Sequence, residues 1–197
     1  MSPGTIAWRA GAWGARSLWA LALMLLPAFA AAGDVSVTID PTPGTCRVQG
    51  GFHCATPAAV AWDVLTDYDH IQDFVPSMIS SRSERAADGH LRVLQTARGD
   101  LFIFHRRMHV ALEIEEEPGR RIGFRDVLAR DFEHYAGEWL IEPDSAGTKV
   151  TYTLEARPRS AIPDRMVRGM LRKATKNLLS QVRAEMTRRA TPRHGAD

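Results

Sequence analysis

Between residues 79 and 156 the sequence repeats one pattern: a run of alternating apolar and polar side chains, then a short turn signal. The runs 79–85, 91–98, 101–115, 121–128, 132–141 and 149–156 are divided by "ADG", "GD", "EPGR", "ARD" and "DSAG". Alternation with period two marks a strand with one buried face. A parallel neighbour needs a crossover of about a dozen residues or more, and none of these links is that long, so consecutive runs must pair antiparallel. The pattern then changes once. From Pro163 to about Arg189, Met166, Val167, Met170, Leu171, Ala174, Leu178, Val182 and Met186 recur at helical spacing. A meander with one face to bury, followed by a single long amphipathic helix, predicts an α+β fold in which a curved antiparallel sheet wraps the C-terminal helix.

Upstream, "VSVTI" reads as a strand, "DPTPG" as a turn and 46–54 as its partner. Cys46, Val48, Phe52 and Cys54 share one parity; Arg47, Gln49 and His53 share the other. That favours one continuous strand over a hairpin turning at Gly50 and Gly51. On a continuous strand the two cysteines stand about 26 Å apart, beyond any disulfide. The glycines then mark a bulge or a close approach. Two short helices are expected next. Thr56 is the expected N-cap, with Pro57 at the first position of a helix over 58–65. Asp69 and Gln72 have capping-box spacing for a second helix, Asp73 lies in its first turn, and Pro76 ends it. Asp67, in the break, is expected to satisfy free backbone N–H groups. These carboxylates therefore read as helix punctuation before they read as catalysts.

Residues 1–32 hold Arg9 and Arg16, no acidic residue, the apolar run "LWALALMLLPAFA" and then small residues. This is the layout of a secretory signal peptide, with export, to a periplasm, as its consequence. Pro27 interrupts the run, which is shorter than the roughly 20 residues a membrane span needs. A retained anchor is the alternative. Removal leaves one domain over 33–190, with 191–197 as a flexible tail. Without Arg9 and Arg16, the 25 basic residues become 23 against 23 acidic. A neutral chain gives no argument for nucleic acid.

The segments "PAAVAWDVLTDYDHIQDFVPSM", "GEWLIEP", "GTKVTYTLEA" and "IPDRMVRGMLRKATKNLLSQVRAEM" resemble the START-like, polyketide cyclase/dehydrase superfamily, in the branch of coenzyme Q-binding START proteins. The resemblance covers the mature chain nearly end to end. It implies the helix-grip fold, a deep apolar cavity between sheet and final helix, and binding or transport of a hydrophobic small molecule, lipid or quinone-like. Export departs from the better-known members.

Parity names the lining. Phe102, Phe104, Met108, Val110, Leu112 and Ile114 share a face on which Arg106 is the one charge. Ile122, Phe124 and Leu128, then Tyr135, Trp139 and Ile141, then Val150, Tyr152 and Leu154, are the inward sets of the later strands, with Asp126 their only carboxylate. The candidate ligand-binding residues are thus Trp62, Phe74, Phe102, Phe104, Arg106, Met108, Phe124, Trp139, Tyr152, Met166 and Met170. Register across "EEEPGR" sets Asp126 opposite Val110 or Leu112, at least about 13 Å along the strand from Arg106. Arg106 therefore either snorkels to water or orients a polar group on the ligand. Met166 and Met170 read as plain core or as adaptable pocket lining.

For catalysis, the sequence has no G-x-S-x-G, no metal-ligand spacing, no phosphate-cradling loop and no Cys–His pair on a common face. No cofactor or metal is expected. A cyclase needs only an acid and a base in an apolar pocket, so Asp126, Tyr135 and Tyr152 carry the alternative reading, a polyketide cyclase/dehydrase-type enzyme. Arg165, Arg168, Arg172, Lys173, Lys176 and Arg183 avoid the helix's apolar stripe. They form a solvated face or hold the protein, as a monomer, against anionic lipid.

Overall fold

The computed structural model describes residues 34–42, 45–101, 104–159 and 163–191, without the side chains of 41, 42, 99–101 and 104–106. The expected leader, Phe102 and all of the expected tail but Thr191 lie outside the described residues. The elements, in order, are β1 (Ser36–Thr42), β2 (Thr45–Cys54), α1 (Ala58–Leu65), a 3-10 turn (Tyr68–His70), α2 (Ile71–Phe74), β3 (Met78–Arg85), β4 (Leu91–Leu101), β5 (Phe104–Glu117), β6 (Arg121–Asp126), β7 (Phe132–Asp144), β8 (Gly147–Pro158) and α3 (Asp164–Ala190). The strands form one antiparallel sheet in the order β1-β2-β8-β7-β6-β5-β4-β3. The meander runs in sequence order, and the first hairpin closes onto the last strand through Cys46↔Ala156 to Cys54↔Thr148.

β2 is continuous, with burial alternating along its length, and Cys46 and Cys54 are buried free thiols. Of the two readings of the paired glycines, the close approach holds. A Cβ on Gly50 would come within 2.7 Å of Leu179 Cδ1, so the missing side chain lets α3 press onto the sheet.

Several local expectations need correction. "GD" is not a turn: Gly99 and Asp100 continue β4, paired with Arg106 and His105. Pro57, in extended backbone, is the N-cap of α1 and no side chain caps the helix. The Thr56 carbonyl accepts from the Thr148 hydroxyl at 2.6 Å, and its own hydroxyl is buried without a partner. Asp69 and Gln72 do not form a capping box. Asp69 accepts from the Ser83 amide at 2.6 Å and the Ser83 hydroxyl at 2.8 Å, and Gln72 Oε1 accepts from the Ser81 amide at 3.1 Å. β3 is an edge strand, so these side chains satisfy N–H groups that no neighbouring strand can reach. Asp67 serves no backbone amide. It accepts from His70 Nδ1 at 2.6 Å and from Arg189 at 2.7 Å, tying α3 to the break after α1.

The buried stripe of α3 is Val167, Thr175, Leu179, Val182, Glu185 and Met186. It is rotated slightly from the expected one, so that Met166 and Ala174 are exposed. The register with Gly50 sets this rotation, because Leu179 rather than Leu178 fills the notch. Leu128, expected inward, is 48% exposed because β6 ends at Asp126.

One row of paired residues crosses the entire convex face: Asp40, Arg47, Glu155, Ala136, Arg125, Glu113, Arg92 and Glu84. Apart from Ala136 its charges are arranged so that most neighbours are of opposite sign. Arg47 pairs with Glu155, while Glu113 bonds Arg125 at 2.5 Å and lies 3.9 Å from Arg92.

Candidate functional site

α3 packs closely on β1, β2, α1 and α2, and the inner faces of β5, β6 and β7 lie farther from it. Burial follows that geometry. Under α3, Val48, Phe52 and Val150 are at most 4% exposed, whereas Met108, Val110, Phe124, Tyr135 and Trp139 on the inner face of β5–β7 are only half-buried against the core. The result is a concave, aromatic-walled recess on the covered side of the sheet.

Its wall is built by register. Trp139 pairs with Tyr152 and Ile122, and Gly137 pairs with Leu154 and Phe124. A Cβ on Gly137 would meet the Thr153 carbonyl and lie 2.7 Å from Phe124 Cζ, so the glycine lets Phe124 lie against the β7 backbone. The Phe124 ring is 6.0 Å from both Tyr135 and Tyr152. Trp139 lies 4.5 Å from Tyr152, and Phe132 lies 4.8 Å from Tyr135. Tyr135 is surrounded by protein while keeping accessible surface, so what it exposes faces the recess.

Burial pushes the Tyr135 hydroxyl up; the adjacent Tyr152 offsets this in part and Asp126 adds to it. Burial also raises Tyr152 well above the ordinary phenol value, with Tyr135 reinforcing the shift. At neutral pH both are protonated donors. Asp126, opposite Leu112 as expected, is engaged by the backbone: it accepts from the amides of Ala111 at 2.9 Å, Leu128 at 3.0 Å and Ala129 at 3.1 Å. Where β5 ends, Tyr68 donates to Glu116 at 2.7 Å, and burial, followed by that carboxylate, pushes the Tyr68 hydroxyl far up.

The other candidates scatter. Trp62 on α1 is half-buried against the core. Phe74 lies under the Arg189 guanidinium, 6.0 Å from its centre, at the junction of α2 and α3. Met170 is half-buried and Met166 is 40% exposed, so Met166 is not core. Phe104 and Arg106 stand on β5, Arg106 at the position opposite Gly99, with side chains outside the description. Phe132 was missed, although its parity with Tyr135 is broken only by a register shift at 132–134 that no sequence signal marks. A separate open depression of about 390 Å3 lies between β1, β2 and β8, lined by polar residues such as Ser36, Thr38, Gln49 and Thr151, away from the aromatic wall. Among the described residues no cluster of His, Cys, Asp or Glu could hold a metal ion.

A long helix gripped by a curved antiparallel sheet with two short helices after its first hairpin defines a helix-grip protein. Residues 45–190 match the model of one family, and the chain belongs to it: polyketide cyclase / dehydrase and lipid transport. The fold is shared with the Zhui aromatase/cyclase of Streptomyces sp. R1128, at TM-score 0.65 and 20% identity over 77% of this chain and 99% of that one. It is shared also with the STAR-related lipid transfer protein of Xanthomonas axonopodis, at 0.65 and 18% over 79% and 95%. Human STARD10 matches at 0.64 and 13% over 80% and 71%. No curated protein matches the chain in sequence.

Proposed function

We propose that this protein binds and carries a hydrophobic small molecule, lipid or quinone-like, in the aromatic recess, and that it does so as an exported monomer at the cell envelope. The observation that carries the reading is the half-exposed aromatic wall. A chain that needed only a filled core would cover Phe124, Tyr135 and Trp139 as completely as it covers Val48 and Val150. The family description includes lipid transport, and one structural neighbour is named a lipid transfer protein.

The cyclase reading is favoured by the similarity to an aromatase/cyclase and by two protonated phenols on the wall. It is weakened because Asp126, the one carboxylate there besides Glu116 among the described residues, is held by three amides. Two donors with no free base among the described residues suit binding better than proton abstraction.

The deciding experiment is mass spectrometry of small molecules extracted from protein purified from its own cells, then rebinding to the stripped protein. A bound hydrophobe that rebinds stoichiometrically is the expected outcome. Failure of stripped protein to bind any lipid, quinone or apolar fluorophore would end the carrier reading. N-terminal sequencing of the same sample should begin near Ala31 or Gly33, and an intact Met1 would end the cleaved-leader reading.

Membrane contact belongs to the same proposal. Arg165, Arg172, Lys173 and Lys176 are exposed on α3. Met166, Val127 and Leu128 expose apolar surface at the end of the sheet where α3 begins. Cations near an anionic bilayer contribute about 1 kcal/mol each. The protein should therefore float with phosphatidylglycerol vesicles and not with phosphatidylcholine vesicles. Equal recovery from both would remove the electrostatic contact.

A further inference from the structure

Over most of the convex face of the sheet, arginine is answered by a carboxylate. Arg92 bonds Asp88 at 2.6 Å, Arg121 bonds Glu138 at 2.7 Å and Arg125 bonds Glu113 at 2.5 Å. One rung breaks this rule. On the same two strands and the same face as Arg92 and Glu113, Arg98 stands directly opposite Arg107. Both are exposed, and neither guanidinium has a partner among the described residues. Side chains directly opposite on an antiparallel pair have Cβ atoms about 4.5–5.5 Å apart, and like charges so placed repel. β6 ends opposite Leu112, so no further strand brings a carboxylate beside Arg107. The rung beyond, Asp100 opposite His105, holds one carboxylate against two guanidiniums. Two cations left facing each other cost the fold stability and complement an oxyanion, to which each can offer parallel N–H donors.

The neighbouring rung adds to the same place. Thr96 stands opposite His109, both half-buried, and the Thr96 hydroxyl has no partner among the described residues. His109 is fixed from behind: its amide donates to Asp131 Oδ2 at 2.8 Å, and its buried Nδ1 lies 3.6 Å from the same oxygen. The loop that carries Asp131 runs beside β5, where the Val127 amide donates to the Ala111 carbonyl at 2.8 Å, and it exposes Val127 and Leu128. We infer that Arg98 and Arg107, with the Thr96 hydroxyl beside them, form a binding site for a phosphate monoester group, carried by a lipid head or by a soluble ester. The arginines hold the charge, Thr96 donates a neutral hydrogen bond, and His109 separates the site from the paired charges farther along β5. A phosphate monoester brings close to two negative charges and three acceptor oxygens, which match two guanidiniums better than a carboxylate does. The site lies on the face of the sheet opposite the recess and does not depend on what the recess holds.

Calorimetric titration of the full-length protein with inorganic phosphate, at an ionic strength held constant with sodium chloride, tests the site. Wild type should bind phosphate, and Arg98→Gln and Arg107→Gln should each weaken that binding about tenfold or more, the yield of one charge-assisted hydrogen bond. Without phosphate and at low salt, both variants should unfold at the same urea concentration as wild type or a higher one, because a repulsion has been removed. Flotation on phosphatidate vesicles against phosphatidylglycerol vesicles of equal surface charge separates the two sources. A phosphatidate preference that the double variant loses assigns the group to a lipid head, and no preference assigns it to a soluble ester. Wild type that binds no phosphate, binding unchanged in both variants, or a phosphatidate preference that survives in the double variant would overturn the site. So would a variant less stable than wild type without phosphate, since its guanidinium would then be satisfied within the protein.

Discussion

Two positions show how single residues set the recess. Gly137 is a glycine because the Thr153 carbonyl and the Phe124 ring occupy the space its side chain would need. Gly137→Ala should force Phe124 off the wall and cost about 1–3 kcal/mol in urea unfolding, the range for overpacking. A stability equal to wild type would show that both the ring and the β7–β8 backbone have room to move. Asp126 is a spacer in the turn after β6, where Ala129 sits at φ 48°, a left-handed conformation uncommon for a residue with a side chain. Asp126→Ala should cost about 1–3 kcal/mol through loss of its hydrogen bonds, above all the one from the part-buried Ala111 amide. Asp126→Asn, which keeps an acceptor oxygen, should cost less and leave ligand binding near normal; loss of binding with unchanged stability would return Asp126 to the ligand site. Neither role was legible beforehand, because alternation places a residue on a face and is silent about its partners there. Cys46 and Cys54 were legible for the opposite reason: parity alone decides whether a strand continues, and a continuous strand separates them. Thiol titration of denatured, unreduced protein should count two; a count of zero would contradict the continuous strand.

Elements were legible where the pattern was long. The alternating runs and the stripe read from Met166 to Met186 located all six later strands and α3, since burial of one face imposes a period along the whole element. The short segment 67–74 was misread because its partners, Ser81 and Ser83, lie about ten residues on and leave no local trace. That segment guards the edge of β3, so Asp69→Ala should free the Ser83 amide and hydroxyl and raise aggregation on mild heating. Light scattering no different from wild type would show the edge is protected otherwise. The C-terminal end of α3 is tied down by Asp67 and Glu185 through Arg189. Burial alone would raise the Asp67 carboxyl, but hydrogen bonds from His70 and Arg189 outweigh it and hold it below its ordinary 3.8. A depressed carboxyl contributes stability above its unfolded value, and that contribution fades as pH falls through the lower folded value. Asp67→Asn should therefore be less stable than wild type at neutral pH and converge with it in strong acid. A constant difference between about pH 2 and pH 6 would disprove the linkage.

At the scale of the molecule, the fold class followed from alternation, short links and one long amphipathic stripe, whereas the extent to which α3 covers the inner face did not. Whether an inner residue ends fully or partly buried depends on where α3 lies, and Gly50 with Leu179 sets that position through a contact 129 residues apart in sequence, from residue 50 to residue 179. The charged row on the convex face is similarly invisible until the register is known, because its members come one from each of the eight strands. Glu113 is shielded chiefly by the arginines on either side rather than by protein interior, and its carboxyl is held low first by Arg125.

The pairing of β2 with β8 also orders events in time. β1 and β2 emerge first from the ribosome, yet the strand they must pair with, Gly147–Pro158, and the helix that covers them come last. A two-stranded hairpin is marginal alone, so the N-terminal part of the sheet has no stable home until nearly the whole chain has been made. The sheet cannot close for as long as β8 and α3 are withheld, which makes release of the last helix the moment at which the fold locks.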